Sequence, residues 1–129
     1  MVLAAPLVVV ASGKYAFGIE VASGMTRWAY ALRVQPCRAL VANDRVYVAG
    51  DNELACLEYL TGKQIFNVTT DITPDVTLMV DGERIYLGAQ GRVACYDQVG
   101  TCVWTNDLST MNGIGFAVPG MAQQIDVKG

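Results

Sequence analysis

A turn glycine returns along this chain at a fixed interval, and nothing else in the sequence constrains the fold as tightly. Gly24, Gly62 and Gly100 are spaced 62 − 24 = 38 and 100 − 62 = 38. Trp28, Phe66 and Trp104, each four places further on, keep the same interval. The stretch ANDRVYVAGDNELACLEYLTGKQIF (residues 42–66) is repeated in plan by VDGERIYLGAQGRVACYDQVGTCVW (residues 80–104). Its second half is repeated by VVVASGKYAFGIEVASGMTRW (residues 8–28). A period of this size means one supersecondary unit copied along the chain.

The unit reads as a meander of short strands. In the second copy, strands over 38–42, 45–49, 53–59 and 64–68 are separated by the turn signals Asn43-Asp44, Gly50-Asp51-Asn52 and Thr61-Gly62-Lys63. The third copy places strands over 76–80, 84–88, 92–96 and 101–105, with the hairpin dipeptide Asp81-Gly82 at its first turn. The first copy offers strands over 7–11, 15–21 and 25–31. Helix formers at helical spacing are missing, and strands of this length between turn residues are an all-β pattern.

The tail begins a fourth copy. In GIGFAVPG, Val118 and Gly120 stand one period after Val80 and Gly82 (118 − 80 = 38). Ile114, Phe116 and Val118 are therefore expected on a single further strand that Pro119 ends. The units divide the chain as 1–32, a degenerate first copy; 33–72; 73–108; and 109–129, the extra strand and tail.

The opening MVLAAPLVVVASG has the apolar core and small residues of a short signal peptide. It lacks a basic n-region, however, and Pro6 interrupts its core. Val8, Val9 and Val10 also fall in register with Val46, Tyr47 and Val48, so a strand is the better reading. An intracellular or particle-associated protein is favoured over a secreted one, though the compartment itself stays open.

Strands such as Val46-Tyr47-Val48-Ala49 and Leu54-Ala55-Cys56-Leu57 are apolar on both faces, which requires a neighbour on each side. Four-stranded meanders stacked face to face around an axis are the blades of a β-propeller. The expected fold is therefore all-β, a partial propeller of about three four-stranded antiparallel blades, closed by oligomerisation or by a partner.

The string YVAGDNELACLEYLTGKQIF (residues 47–66) resembles the PQQ-like β-propeller repeat, which runs valine–tyrosine strand, turn, "ALD", "TGK", tryptophan. Phe66 replaces the usual tryptophan. The third unit keeps Tyr86, an Ala94-Cys95-Tyr96-Asp97 version of "ALD", Gly100 and Trp104, but has lost the Thr and Lys of "TGK". The resemblance spans about residues 7–108 and its motifs are structural. It implies that Trp28, Phe66 and Trp104 lie on outer strands and pack against the adjoining blade. The acidic residue before each turn, Glu58 or Asp97, is expected to accept backbone N–H bonds across it.

Some proteins with related repeats are quinoproteins that hold pyrroloquinoline quinone and calcium at the axis of an eight-bladed ring, commonly with adjacent cysteines. This chain has no adjacent cysteines, and its Asp and Asn cluster in turns, where local hydrogen bonding uses them. With no histidine, neither a Ser-His-Asp triad nor a Cys-His pair can form. Cys37, Cys56, Cys95 and Cys102 show no CxxC spacing, so structural zinc is not expected. Cys56 and Cys95 are repeat-equivalent and read as reduced core thiols, a disulfide requiring Cα atoms within about 7 Å. No catalytic residue, cofactor or metal is expected.

Hydrophobic residues make up 53% and charged residues 16% of a 129-residue chain, which suggests surface that is covered by something else. The net charge of −3 is interspersed and leaves no basic footprint for nucleic acid. No apolar run approaches the roughly 18 residues of a membrane-spanning helix. Propellers close with about 4–8 blades, so three would leave apolar end faces in water. The expected function is a non-catalytic scaffold or interaction module that assembles with itself, two chains supplying six blades, with 114–118 adding to an edge of a neighbouring chain. The alternative is a structural subunit of a larger particle such as a virion, tail or envelope complex; a quinoprotein fragment is the remote one.

Overall fold

The computed structural model describes residues 6–108 and residue 116. The described chain forms eleven strands and no helix: β1 (Leu7–Ser12), β2 (Tyr15–Glu20), β3 (Thr26–Ala31), β4 (Arg38–Ala42), β5 (Arg45–Gly50), β6 (Glu53–Glu58), β7 (Gln64–Thr69), β8 (Thr77–Asp81), β9 (Arg84–Ala89), β10 (Arg92–Tyr96) and β11 (Cys102–Asp107). Each strand pairs antiparallel with its sequence neighbour inside one unit, giving sheets β1-β2-β3, β4-β5-β6-β7 and β8-β9-β10-β11.

The turns follow from residues that tolerate positive φ. Asn43 and Asp44 sit at φ 56° and 58° between β4 and β5, and Gln90 and Gly91 at 51° and 77° between β9 and β10. The Asp81-Gly82 hairpin is placed one residue differently from expectation. Asp81 stays in β8, paired with Arg84, and the two-residue turn is Gly82-Glu83 with Gly82 at φ 59°. Glycine leads that turn because its first central position is the one needing positive φ. A register shift also recurs in every unit just ahead of the turn glycine, at Gly18/Ile19, Cys56/Leu57 and Cys95/Tyr96. Such a bulge increases local twist, and its repetition marks it as part of the unit.

The sheets stack, with β4 lying against β1 on one side and β8 on the other. Both faces of the middle sheet are buried. Val46, Val48, Ala55 and Leu57 pack towards the first sheet with Leu7, Ala16 and Trp28. Tyr47, Leu54, Cys56 and Phe66 pack towards the third with Leu78, Ile85, Leu87 and Tyr96. Each such fully buried large side chain contributes about 1.5–3 kcal/mol. These are the expected blades, the first with three described strands where the others have four. All four cysteines are free thiols, and Cys56 and Cys95 are core side chains as expected.

Candidate functional site

Two junctions between neighbouring blades are built alike. At the first, Trp28 on β3 leans across to the turn of the second blade. A Cβ added to Gly62 would stand 2.6 Å from the indole, and the indole Nε1–H donates to the Tyr59 carbonyl at 2.8 Å. At the second, Phe66 on β7 lies against the turn of the third blade, where a Cβ on Gly100 would stand 2.8 Å from the ring. Trp28 and Phe66 keep only 7% and 9% of their surface. The expected packing of the repeat aromatic on the adjoining blade is therefore realised twice.

Polar ties reinforce both junctions. The Leu7 N–H donates to the Tyr59 hydroxyl, which itself donates to the Leu7 carbonyl at 2.7 Å. Between the second and third blades, the Tyr47 hydroxyl donates to Gln98 Oε1 at 2.7 Å and Arg45 donates to the Gln98 carbonyl at 2.8 Å.

Glu53 is a buried carboxylate that sequence reasoning missed. It accepts from the Arg33 backbone N–H and from Asn67 Nδ2, both at 2.8 Å, with the Arg33 guanidinium 3.4 Å away. Burial pulls its pKa up, but hydrogen bonds from the Arg33 backbone, Asn67 and Arg33 outweigh this and hold it below the ordinary value. The next junction has the same pair with charges exchanged: Arg92, which opens β10 as Glu53 opens β6, reaches Asp71 at 2.8 Å. Asp71 stands one period after Arg33 (71 − 33 = 38).

The acidic residues before the turns serve those turns. Glu58 Oε1 accepts from the Thr61 hydroxyl at 2.6 Å, and Glu20 Oε1 accepts from Ser23 at 2.8 Å. The expectation of carboxylate-to-backbone bonds holds for Asp97 alone, which accepts from the Thr101 and Val99 N–H groups at 2.9 and 3.0 Å. Those two bonds, partly opposed by desolvation and aided by Arg84, lower its pKa. At Glu58 the backbone itself bridges the turn, its carbonyl accepting from Gly62 N–H at 2.8 Å.

A cavity of about 240 Å³ beside the start of β4 is lined by Pro36, Cys37, Arg38, Asp51 and Asp75 among others. Asp51 is engaged there by the Asp75 N–H at 3.1 Å. Burial pushes the Cys37 thiol up in pKa, and it donates to the Tyr15 carbonyl, so it is no ready nucleophile. Among the described residues no three His, Cys, Asp or Glu side chains are grouped to hold a metal. The donor set of a calcium–quinone site does not fit: the carboxylates described above are committed to turns and junctions. No described helix is long and apolar enough to cross a membrane.

The outer faces are unlike the inner ones. Trp104, repeat-equivalent to Trp28 and Phe66, stays 45% exposed, because no described blade follows it. Its ring lies 6.1 Å from Tyr86, which also meets Phe116 at 6.1 Å. At the opposite end of the stack Val8, Tyr15, Val21 and Met25 are exposed, and a Cβ on Gly24 would meet nothing within 4 Å. Gly24, Gly62 and Gly100 share positive φ (75°, 71° and 89°). Ile114 and Val118 lie outside the described residues. Phe116 stands on the open face of the third blade.

Residues 2–115 match the family described as outer membrane protein assembly factor BamB. Among solved structures, BamB from Moraxella catarrhalis superposes with a TM-score of 0.64 at 21% identity, covering 88% of this chain and 38% of that one. A europium-containing methanol dehydrogenase superposes with a TM-score of 0.63 at 19% identity, covering 80% of this chain and 23% of that one. The chain thus spans well under half the length of either neighbour. No curated protein matches it in sequence.

Proposed function

From the premise that this chain belongs to the family of outer membrane protein assembly factor BamB, we propose that it is a non-catalytic propeller scaffold that works by joining surfaces. Its blades bury their inner faces against one another and offer the outer two for association with further blades, in the first instance those of a second copy. The description of the family as an assembly factor favours a partner-binding role. The likeness to a methanol dehydrogenase is one of fold.

One observation carries the reading. The residues that seal the inner junctions have counterparts at both ends of the stack, and those counterparts are open to water: Trp104, the counterpart of Trp28 and Phe66, is 45% exposed, and Val21, the counterpart of Tyr59, 63%. An apolar sheet face of this kind marks an association site. Six blades from two chains fall within the range that closes a ring, about 4–8.

Gel filtration with light scattering on the purified chain tests this. A mass of two or more chains is expected, and a monomer that stays soluble at all concentrations refutes it. Insolubility alone, relieved by a co-expressed protein, would instead favour a subunit of a larger particle. A sharp rise in melting temperature with pyrroloquinoline quinone and calcium would return the chain to the enzymes.

A further inference from the structure

We infer that Trp104 is a plug and the Gly24 turn its socket, so that copies of this chain join head to tail, Trp104 of one copy seated on Gly24 of the next. This rests on the self-association proposed above and names the contact that carries it.

The chain performs this docking twice within itself. Trp28 sits on the turn at Gly62, and Phe66 on the turn at Gly100, each ring occupying the space where a glycine Cβ would be. The series aromatic, then glycine one unit later, leaves one member over at each end. Among the described residues Trp104 meets no turn glycine, and Gly24 meets no aromatic ring.

The socket is already formed. Gly24 N–H donates to the Glu20 carbonyl at 2.8 Å, as Gly62 N–H donates to the Glu58 carbonyl at 2.8 Å. The carboxylate of each acidic residue also takes the hydroxyl three places on, Ser23 or Thr61. The two turns are thus the same structure, one filled by an indole and one open. The residue equivalent to the one whose carbonyl the indole N–H uses is exposed as well. Trp28 donates to the carbonyl of Tyr59, and one period before Tyr59 stands Val21 (59 − 38 = 21), which is 63% exposed.

The plug is equally prepared. At the inner junction the third blade covers the second in two places: Leu78 on the innermost strand packs into the cluster of Tyr47, and the Gly100 turn covers Phe66. On the open face Phe116, one period after Leu78 (116 − 78 = 38), already lies beside Tyr86. The inner half of that place is held by Phe116, and the outer half, at Trp104, meets no glycine turn among the described residues. A patch on one end that fits a different patch on the other is a heterologous contact, which yields rings when its rotation closes. Blade stacking about an axis supplies such a rotation.

Two substitutions and one fluorophore test it. Trp104→Ala removes the plug; Gly24→Asn fills the socket with a residue that tolerates positive φ. Each is expected to weaken self-association at least ~10-fold, a large but usual effect for a buried aromatic at an interface. An equimolar mixture of the two variants retains one intact pair and should regain a species of two chains. Two merely misfolded variants could not rescue each other. In a Trp28→Phe background Trp104 is the sole tryptophan, and acrylamide quenching of its emission should fall as the protein is concentrated. If the chain associates while Trp104 stays equally quenched, or Trp104→Ala associates like the parent, the plug is wrong although self-association stands. A monomer at every concentration removes both.

Discussion

Gly24, Gly62 and Gly100 place the same backbone demand on the chain and differ in what lies above them. An L-residue in this conformation costs roughly 1–2 kcal/mol by itself. Within a single copy that is the whole penalty at Gly24, since a Cβ there meets nothing; at Gly62 it would enter the Trp28 ring at 2.6 Å. Overpacking adds about 1–3 kcal/mol, so Gly62→Ala should be less stable than Gly24→Ala by that margin in urea titration. Equal losses would mean that Trp28 swings aside freely and does not hold the blades together. The sequence announced these glycines and aromatics by their spacing, because a turn and its docking ring must recur with the unit. It did not tell which turn each ring meets. Trp28 lies four places from Gly24 in sequence yet packs on Gly62, most of a period further along (62 − 28 = 34). That relation is visible only once blades are stacked.

At the scale of the elements, the junction ion pairs show why part of the site was hidden. Repeats are found by like residues at like positions, yet Arg33 with Glu53 and Asp71 with Arg92 keep complementarity while exchanging sign. Letter by letter these positions look unrelated. Their energies should differ despite the shared geometry. Arg92 and Asp71 are both substantially exposed, and such pairs are worth about 0–1 kcal/mol. Asp71→Asn should therefore change stability by no more than ~1 kcal/mol. Glu53 is 3% exposed and accepts from the Arg33 backbone N–H and from Asn67. Glu53→Gln should cost about 1–3 kcal/mol at neutral pH. The same residue sets a pH dependence. Its pKa in the folded chain is lowered from 4.5, so the folded state favours the ionised form. Its contribution is complete above 4.5 and is lost as pH falls through the lower, folded value. Stability followed by chemical denaturation should drop more steeply below that point in the parent than in Glu53→Gln, and parallel curves would show that other carboxylates govern acid unfolding.

For the molecule as a whole, stacking in a row means that each blade is stabilised by its neighbours, with the middle one held on both sides. Strands β5 and β6 are buried almost throughout, whereas β11 is exposed along its length. In such an array stability is close to a sum of unit and junction terms, so losing one junction should release one end and spare the rest. Trp28 is the principal aromatic of the first junction, buried to 7% and bonded to Tyr59. Truncating a buried tryptophan costs about 3–5 kcal/mol. Trp28→Ala should thus raise amide exchange across β1–β3 towards that of an open chain. Amides of β5, β6, β9 and β10 should keep their protection, because the second junction, through Phe66 on Gly100 and Tyr47 on Gln98, is untouched. Hydrogen exchange with mass detection resolves the two regions. Uniform loss of protection from β1 to β11 would show that the blades unfold as one cooperative body, and that the repeat in the sequence is not a repeat in the energetics.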